Sequence, residues 1–144
     1  MPKARQRYYR AIFLTAAVYD IVLGIVFTFF AGWAFGLLDV RDALPGGAYV
    51  PLIGAFLLVI GIAYVFVFFG DLERNRDLIA VGALYKAAYS GIAFYYWAIG
   101  DYPHVLFATL FGVVDAVMLV MMAECWWYLY RHRSRMAEPS MALG

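Results

Sequence analysis

The chain has one cysteine, Cys125, in 144 residues. An internal disulfide and a CxxC redox pair are therefore both excluded. It holds two histidines, His104 and His132, which the segment order places at opposite faces of a membrane, so they cannot jointly ligate a haem or a metal. Charged residues make up only 15% of the chain and the net charge is +1, too small to point to nucleic acid. No phosphate loop, GxSxG or HExxH pattern occurs, and no nucleophile–base pair is visible. These absences argue against an enzyme, and no cofactor or metal is expected.

What the chain has instead is apolar length. Its hydrophobic share is 66%, against about 45–50% for a soluble domain. The apolar residues come in long runs. Residues 50–69 are 20 residues without a charge, and residues 78–100 are 23 with only Lys86. Residues 11–38 are 28 with only Asp20, and residues 102–130 hold Asp115 and Glu124. About 20 apolar residues cross the hydrocarbon as a helix, and backbone groups in lipid must be paired internally. No ten-residue alternation of the kind a barrel strand needs is present. The expected fold is an all-α membrane protein: a four-transmembrane-helix antiparallel bundle in a single domain spanning 1–144. Its helices are expected at about 11–36, 50–69, 78–99 and 105–130. The basic head before the first run resembles a signal peptide, but the run is too long and no A-x-A site follows. It reads as an uncleaved first span.

Loops order the spans. Asp39, Arg41, Asp42 and Pro45-Gly46-Gly47 separate the first two. Residues 70–77 form a charged connection, Gly100-Asp101-Tyr102-Pro103-His104 a tight turn, and the tail after about Tyr130 is short, polar and frayed. Nine basic residues (Lys3, Arg5, Arg7, Arg10, Arg74, Arg76, Arg131, Arg133, Arg135) fall on one side of this arrangement and Arg41 alone on the other. Basic loops stay inside, so both termini are expected to be cytoplasmic, in a bacterial inner membrane. Tyr8, Tyr9, Trp126, Trp127 and Tyr128 mark one interface. Trp33, Tyr96, Trp97 and Tyr102 mark the other.

Four ionisable residues lie within the spans: Asp20, Lys86, Asp115 and Glu124. Glu124 sits near the inner interface, where water or a basic loop residue can meet it. Asp20 and Lys86 lie about 12 Å from the inner ends of their helices and Asp115 about 16 Å from Trp126. The three thus share one depth. Each would cost about 2.5–3.5 kcal/mol facing lipid. Small residues line their faces: Ala16 and Gly24 beside Asp20, Gly82, Ala83 and Ser90 beside Lys86, and Gly112 beside Asp115. All three are therefore expected to point inward and meet. Gly54, Gly61 and Tyr64 share a face of the second span, which would bring the Tyr64 hydroxyl to the same place.

Two carboxylates and one ammonium do not balance. Either one carboxylate carries a proton, or a donor such as Tyr64, Tyr85 or Tyr89 compensates. The cluster is readable as a buried clamp fixing helix register or as a proton or solute site. Met118, Met121 and Met122 read as packing. Ala83, Ala87 and Gly91 form a ladder for helix contact, within the bundle or to another subunit or copy. The spacing from Tyr19-Asp20 to Phe29-Phe30 equals that from Tyr85-Lys86 to Tyr95-Tyr96, a two-plus-two repeat.

Gly61-Ile62-Ala63-Tyr64, Arg74-Asn75-Arg76 with Leu78, Gly82, Lys86, Asp115, and the stretch from Tyr8-Tyr9-Arg10 to Tyr19-Asp20 resemble small bacterial four-helix membrane proteins, loosely BphX-like or DoxX-like. The resemblance covers most of the chain. It implies a compact bundle in the inner membrane and no activity. DoxX-type subunits associate with quinone-linked oxidation systems, and nothing in this chain matches a redox centre. The combined expectation is a non-catalytic membrane subunit or stand-alone bundle, with the lipid bilayer, other membrane subunits or further copies as partners. The alternative is a proton-linked small-solute carrier using the buried cluster.

Overall fold

The structure, a computed structural model, describes residues 1–44, 46–102 and 104–136; Pro45, Pro103 and the tail from residue 137 lie outside it. The described residues contain helices and turns and no strand. Helix α1 (Lys3–Phe29) is 27 residues long, about 40 Å at 1.5 Å per residue. That exceeds the roughly 30 Å of hydrocarbon, so its basic first turns overshoot the apolar layer. A first span expected from about residue 11 thus begins at Lys3. The reason is a buried stripe at three- and four-residue spacing that includes Tyr9, Ile12, Phe13, Ala16, Asp20, Gly24 and Phe27. The packing at Tyr9 carries the helix through the basic head.

At Phe30 the backbone leaves helical geometry (φ −128°, ψ 18°), and the short α2 (Ala31–Leu37) follows as a separate piece. The single first span expected to reach about residue 36 is therefore two helices. A 3-10 turn, Arg41–Ala43, leads on toward α3 (Tyr49–Phe69). Pro51 lies in the first turn of α3, where a missing N–H breaks no helical bond. Helix α4 (Arg76–Ala98) ends where Gly100 takes φ 76°. There the Gly100 N–H donates to the Trp97 carbonyl (3.1 Å) and the Asp101 N–H to Tyr96 (3.0 Å), the pattern a left-handed glycine permits.

The last apolar stretch is composite: a turn, α5 (Val105–Phe107), then a π segment over Ala108–Val114, then α6 (Asp115–Met136). His104 Nδ1 accepts the Leu106 N–H at 3.1 Å and so caps the start. The helix runs to Met136, six residues beyond the end expected from the sequence.

Four stretches are long and apolar enough to cross a membrane: Lys3–Phe29, Tyr49–Phe69, Arg76–Ala98 and Val105–His132. Large apolar side chains on them point outward, among them Phe56 (66% exposed), Leu84 (70%) and Val120 (68%). Contiguous apolar surface on that scale belongs in lipid, and the chain is a multi-pass membrane protein.

Helix α1 packs mainly on α3, and α4 mainly on the π segment and α6; α1–α6 and α3–α4 contacts join the two pairs. Two apolar clusters result. One gathers Tyr9, Phe13, Tyr64, Ile79, Met122 and Leu129, and the other Phe27, Phe35, Leu57, Ala93, Phe107 and Phe111. Met118 and Met122 are core residues, as expected of packing methionines.

Candidate functional site: a buried Asp–Lys–Asp triad

On three helices a charged residue falls between the two apolar clusters. Asp20 lies between Ala17 and Phe27 on α1, and Lys86 between Ile79 and Ala93 on α4. Asp115 opens α6 between Phe111 and Met118. All three are 0% exposed. Lys86 Nζ donates to Asp20 Oδ1 at 2.7 Å and to Asp115 Oδ1 at 2.9 Å. Charge-assisted bonds of this length are the strong kind. One ammonium thus ties α1 and α6 to α4. The ends of the helices cannot supply this link, because it is made at the level where the apolar clusters part.

The surroundings are aromatic. Lys86 Nζ lies 4.9 Å from the Tyr19 ring centre, 5.6 Å from Tyr85 and 5.9 Å from Tyr64. Ring faces stabilise a desolvated cation electrostatically. The Lys86 turn is held by Ser90, whose hydroxyl donates to the Lys86 carbonyl at 2.8 Å. The two halves of the sequence repeat, Tyr19-Asp20 and Tyr85-Lys86, meet here.

Two expectations need correction. The Tyr64 hydroxyl does not reach the carboxylates. It donates to the Gly82 carbonyl at 3.1 Å, and a Cβ on Gly82 would lie 2.5 Å from the Tyr64 ring. Glycine at 82 is therefore what admits the Tyr64 ring, which faces Lys86 edge or face while its hydroxyl is spent on α4. Nor does a tyrosine compensate the second carboxylate. Among the described residues, neither Asp20 Oδ2 nor Asp115 Oδ2 has a hydrogen-bond partner. Tyr89 is set against Tyr85, with ring centres 4.6 Å apart, and against Phe111 at 5.9 Å. Tyr85 and Tyr89 are packed aromatic neighbours of the triad rather than donors to it.

Tyr19 was not singled out from the sequence as a site residue. It has the closest ring to Lys86, and its hydroxyl donates to the Leu110 carbonyl at 2.9 Å. Leu110 lies in the π segment. Such segments shift the helical hydrogen-bond register and recur at functional sites. The signal available in the sequence was only its place beside Asp20.

Glu124 stands apart from the triad. It is 46% exposed, 3.5 Å from Arg5, and accepts the Tyr9 hydroxyl at 3.0 Å. Glu124 meets a basic residue, but Arg5 lies on α1 and not in a loop as expected.

No protein family matches this chain, and neither a curated protein nor a solved structure does.

Proposed function

We propose that this chain is a non-catalytic bundle of four antiparallel spans in a bacterial inner membrane, with both termini cytoplasmic, in which the triad is a clamp. The observation that carries the reading is the single Lys86 ammonium bonded to carboxylates from two other helices at zero exposure. Removing one partner of such a set is severe, while replacing the set is mild, which is the behaviour of a register device. Opposed directions of the first and last spans are supported by two contacts: Tyr9 of α1 meets Glu124 of α6, while Phe27 of α1 meets Phe107 of α5. The basic asymmetry supports the orientation. The resemblance to BphX-like and DoxX-like proteins, a group with no settled activity, agrees with a compact four-helix bundle. The Ala83–Ala87 face lines an outward groove of about 330 Å³ between α4 and α6, which suits a neighbouring subunit or a second copy.

A second reading, a proton-linked small-solute carrier, is favoured by one specific observation. Asp20 Oδ2 and Asp115 Oδ2 are buried polar atoms without a hydrogen-bond partner among the described residues. A finished clamp has no use for spare acceptors, whereas a site that takes up a proton or a polar solute does. The double variant Lys86→Met with Asp115→Asn separates the two. Under the clamp it recovers both stability and the biological role of the protein. Under the carrier it folds and stays inactive, because the cation and one of the two carboxylates of the site are gone.

A further inference from the structure

The seam between α1 and α6 is pinned at two places and open between them. The Tyr9 hydroxyl bonds Glu124 toward one end, and the Tyr19 hydroxyl bonds the Leu110 carbonyl toward the other. Between these bonds the helices touch sparingly and leave an outward apolar groove of about 390 Å³, lined by Ile12, Thr15, Val117 and Met121 among others. On α1 the residues facing this seam step 5, 8, 12, 15, and on α6 they step 117, 121, 124, 128, 131. Steps of three and four keep them on one face of each helix. A second pocket lies on the same seam at the helix ends, on the other side of the Tyr9–Glu124 bond.

That second pocket, about 260 Å³, is lined by Arg5, Glu124, Trp127, Tyr128, Arg131 and His132. Its guanidiniums are set by rings: Arg5 lies 4.1 Å from the centre of Tyr128, and Arg131 lies 4.9 Å from that of Trp127. Glu124 offsets one of the two positive charges and is already shared between Arg5 and the Tyr9 hydroxyl. The pocket keeps one positive charge in excess, and Lys3 and Arg7 add to it from the same end of α1. A cationic, aromatic-edged pocket and an apolar groove set one below the other on a single outward seam match one chemistry. It calls for an anionic group joined to a hydrocarbon chain.

We propose that this seam binds one phospholipid with an anionic headgroup, its phosphate between Arg5 and Arg131 and one acyl chain along Ile12, Thr15, Val117 and Met121. The proposal rests on the membrane-spanning reading. It is independent of whether the triad is a clamp or a carrier site. Guanidiniums match phosphate geometry, and each basic group near a membrane surface strengthens attraction to anionic lipid about fivefold.

Native mass spectrometry of the detergent-purified full chain provides the test. Phosphatidylglycerol, phosphatidylcholine of the same chains, and sn-glycerol phosphate are each titrated in. One phosphatidylglycerol should be retained, with phosphatidylcholine at least about fivefold weaker. Arg131→Gln should lower phosphatidylglycerol binding about fivefold and leave phosphatidylcholine unchanged. Thr15→Trp, which fills the groove without touching the pocket, should weaken phosphatidylglycerol binding as well. Sn-glycerol phosphate should not displace the lipid. Equal retention of the two lipids, insensitivity to Arg131→Gln, or insensitivity to Thr15→Trp overturns the proposal. Displacement by sn-glycerol phosphate at equal concentration also does, since the site would then hold an anion and no chain. Recovery of the protein in the soluble fraction, without detergent, would instead refute the membrane reading itself.

Discussion

Gly24 of α1 and Gly54 of α3 face each other so closely that a Cβ on either would lie 2.9 Å from the carbonyl oxygen of the other. The same hypothetical Cβ atoms would stand 2.8 Å from the Leu58 nitrogen and 2.5 Å from the Thr28 nitrogen. The side chains of Leu58 and Thr28 crowd these sites too, at 2.7 and 2.6 Å, but the backbone atoms cannot turn aside. Membrane helices approach this closely only through small residues. Gly24→Ala and Gly54→Ala should each destabilise the protein by about 1–3 kcal/mol, the range for overpacked sites. The pair should be non-additive, because a single displacement of the helices relieves both clashes. Gly91→Ala is the control, since a Cβ there meets nothing within 4 Å. Thermal unfolding in a fixed detergent reads all four variants. Equal melting temperatures for Gly54→Ala and Gly91→Ala would show that α1 and α3 are not in this contact.

Lys86→Met should be more damaging than either glycine variant. It leaves Asp20 and Asp115 facing each other at zero exposure with no cation. Breaking a buried pair by removing one partner costs about 3–5 kcal/mol, softened where a carboxylate can take up a proton. Adding Asp20→Asn or Asp115→Asn to Lys86→Met should restore part of the loss. The measurement is a double-mutant cycle on thermal stability in detergent. Strictly additive effects would mean the three groups do not interact as one unit.

The triad was legible in the sequence for a physical reason. A charge in an apolar run must find a partner, and Ala16, Gly24, Gly82, Ser90 and Gly112 mark which way each helix face turns. Depth counting then put three helices' charges at one level. The features that escaped depend on contacts rather than on runs. Lys3–Arg10 is helical because Tyr9 is buried, a tertiary fact that its basic neighbours mask. The break at Phe30 carries no proline and no glycine of its own. The π segment escaped because an apolar run such as Ala108–Val114 reads the same in α or π geometry. The Tyr64 hydroxyl was misplaced because helix periodicity gives the direction of a side chain and not where its far end stops.

Tyr19 offers a direct test of that π segment. Its hydroxyl holds the Leu110 carbonyl at 2.9 Å across the α1–α6 seam. Tyr19→Phe keeps the ring near Lys86 and removes only this bond. A buried polar group losing its partner costs about 1–3 kcal/mol, and α-helical geometry would then compete with the π register. The expected result is a lower melting temperature, with faster amide hydrogen exchange confined to residues 108–114. Tyr95→Phe, at a side chain 62% exposed, should change neither. Unaltered exchange over 108–114 in Tyr19→Phe would show that the π geometry does not depend on this bond.

Orientation rests on nine basic residues against one, counted over the segments that flank the spans. Such a bias fixes which side short loops occupy. The native thiol does not interfere with a labelling test, because Cys125 is fully buried. Single cysteines are placed at Gly46, in the loop with Arg41; at Glu73, in the loop with Arg74 and Arg76; and at Ser140, in the tail outside the described residues. Gly46 and Glu73 are both exposed, so burial does not limit the reagent there. A membrane-impermeant maleimide added to intact cells should modify Gly46→Cys and leave Glu73→Cys and Ser140→Cys untouched. After the membrane is opened, all three should react. An odd number of spans between Glu73 and Ser140 would make Glu73→Cys and Ser140→Cys behave differently from each other. Reaction of both in intact cells, with Gly46→Cys protected, would invert the protein and move the Arg5–Arg131 pocket to the outer leaflet.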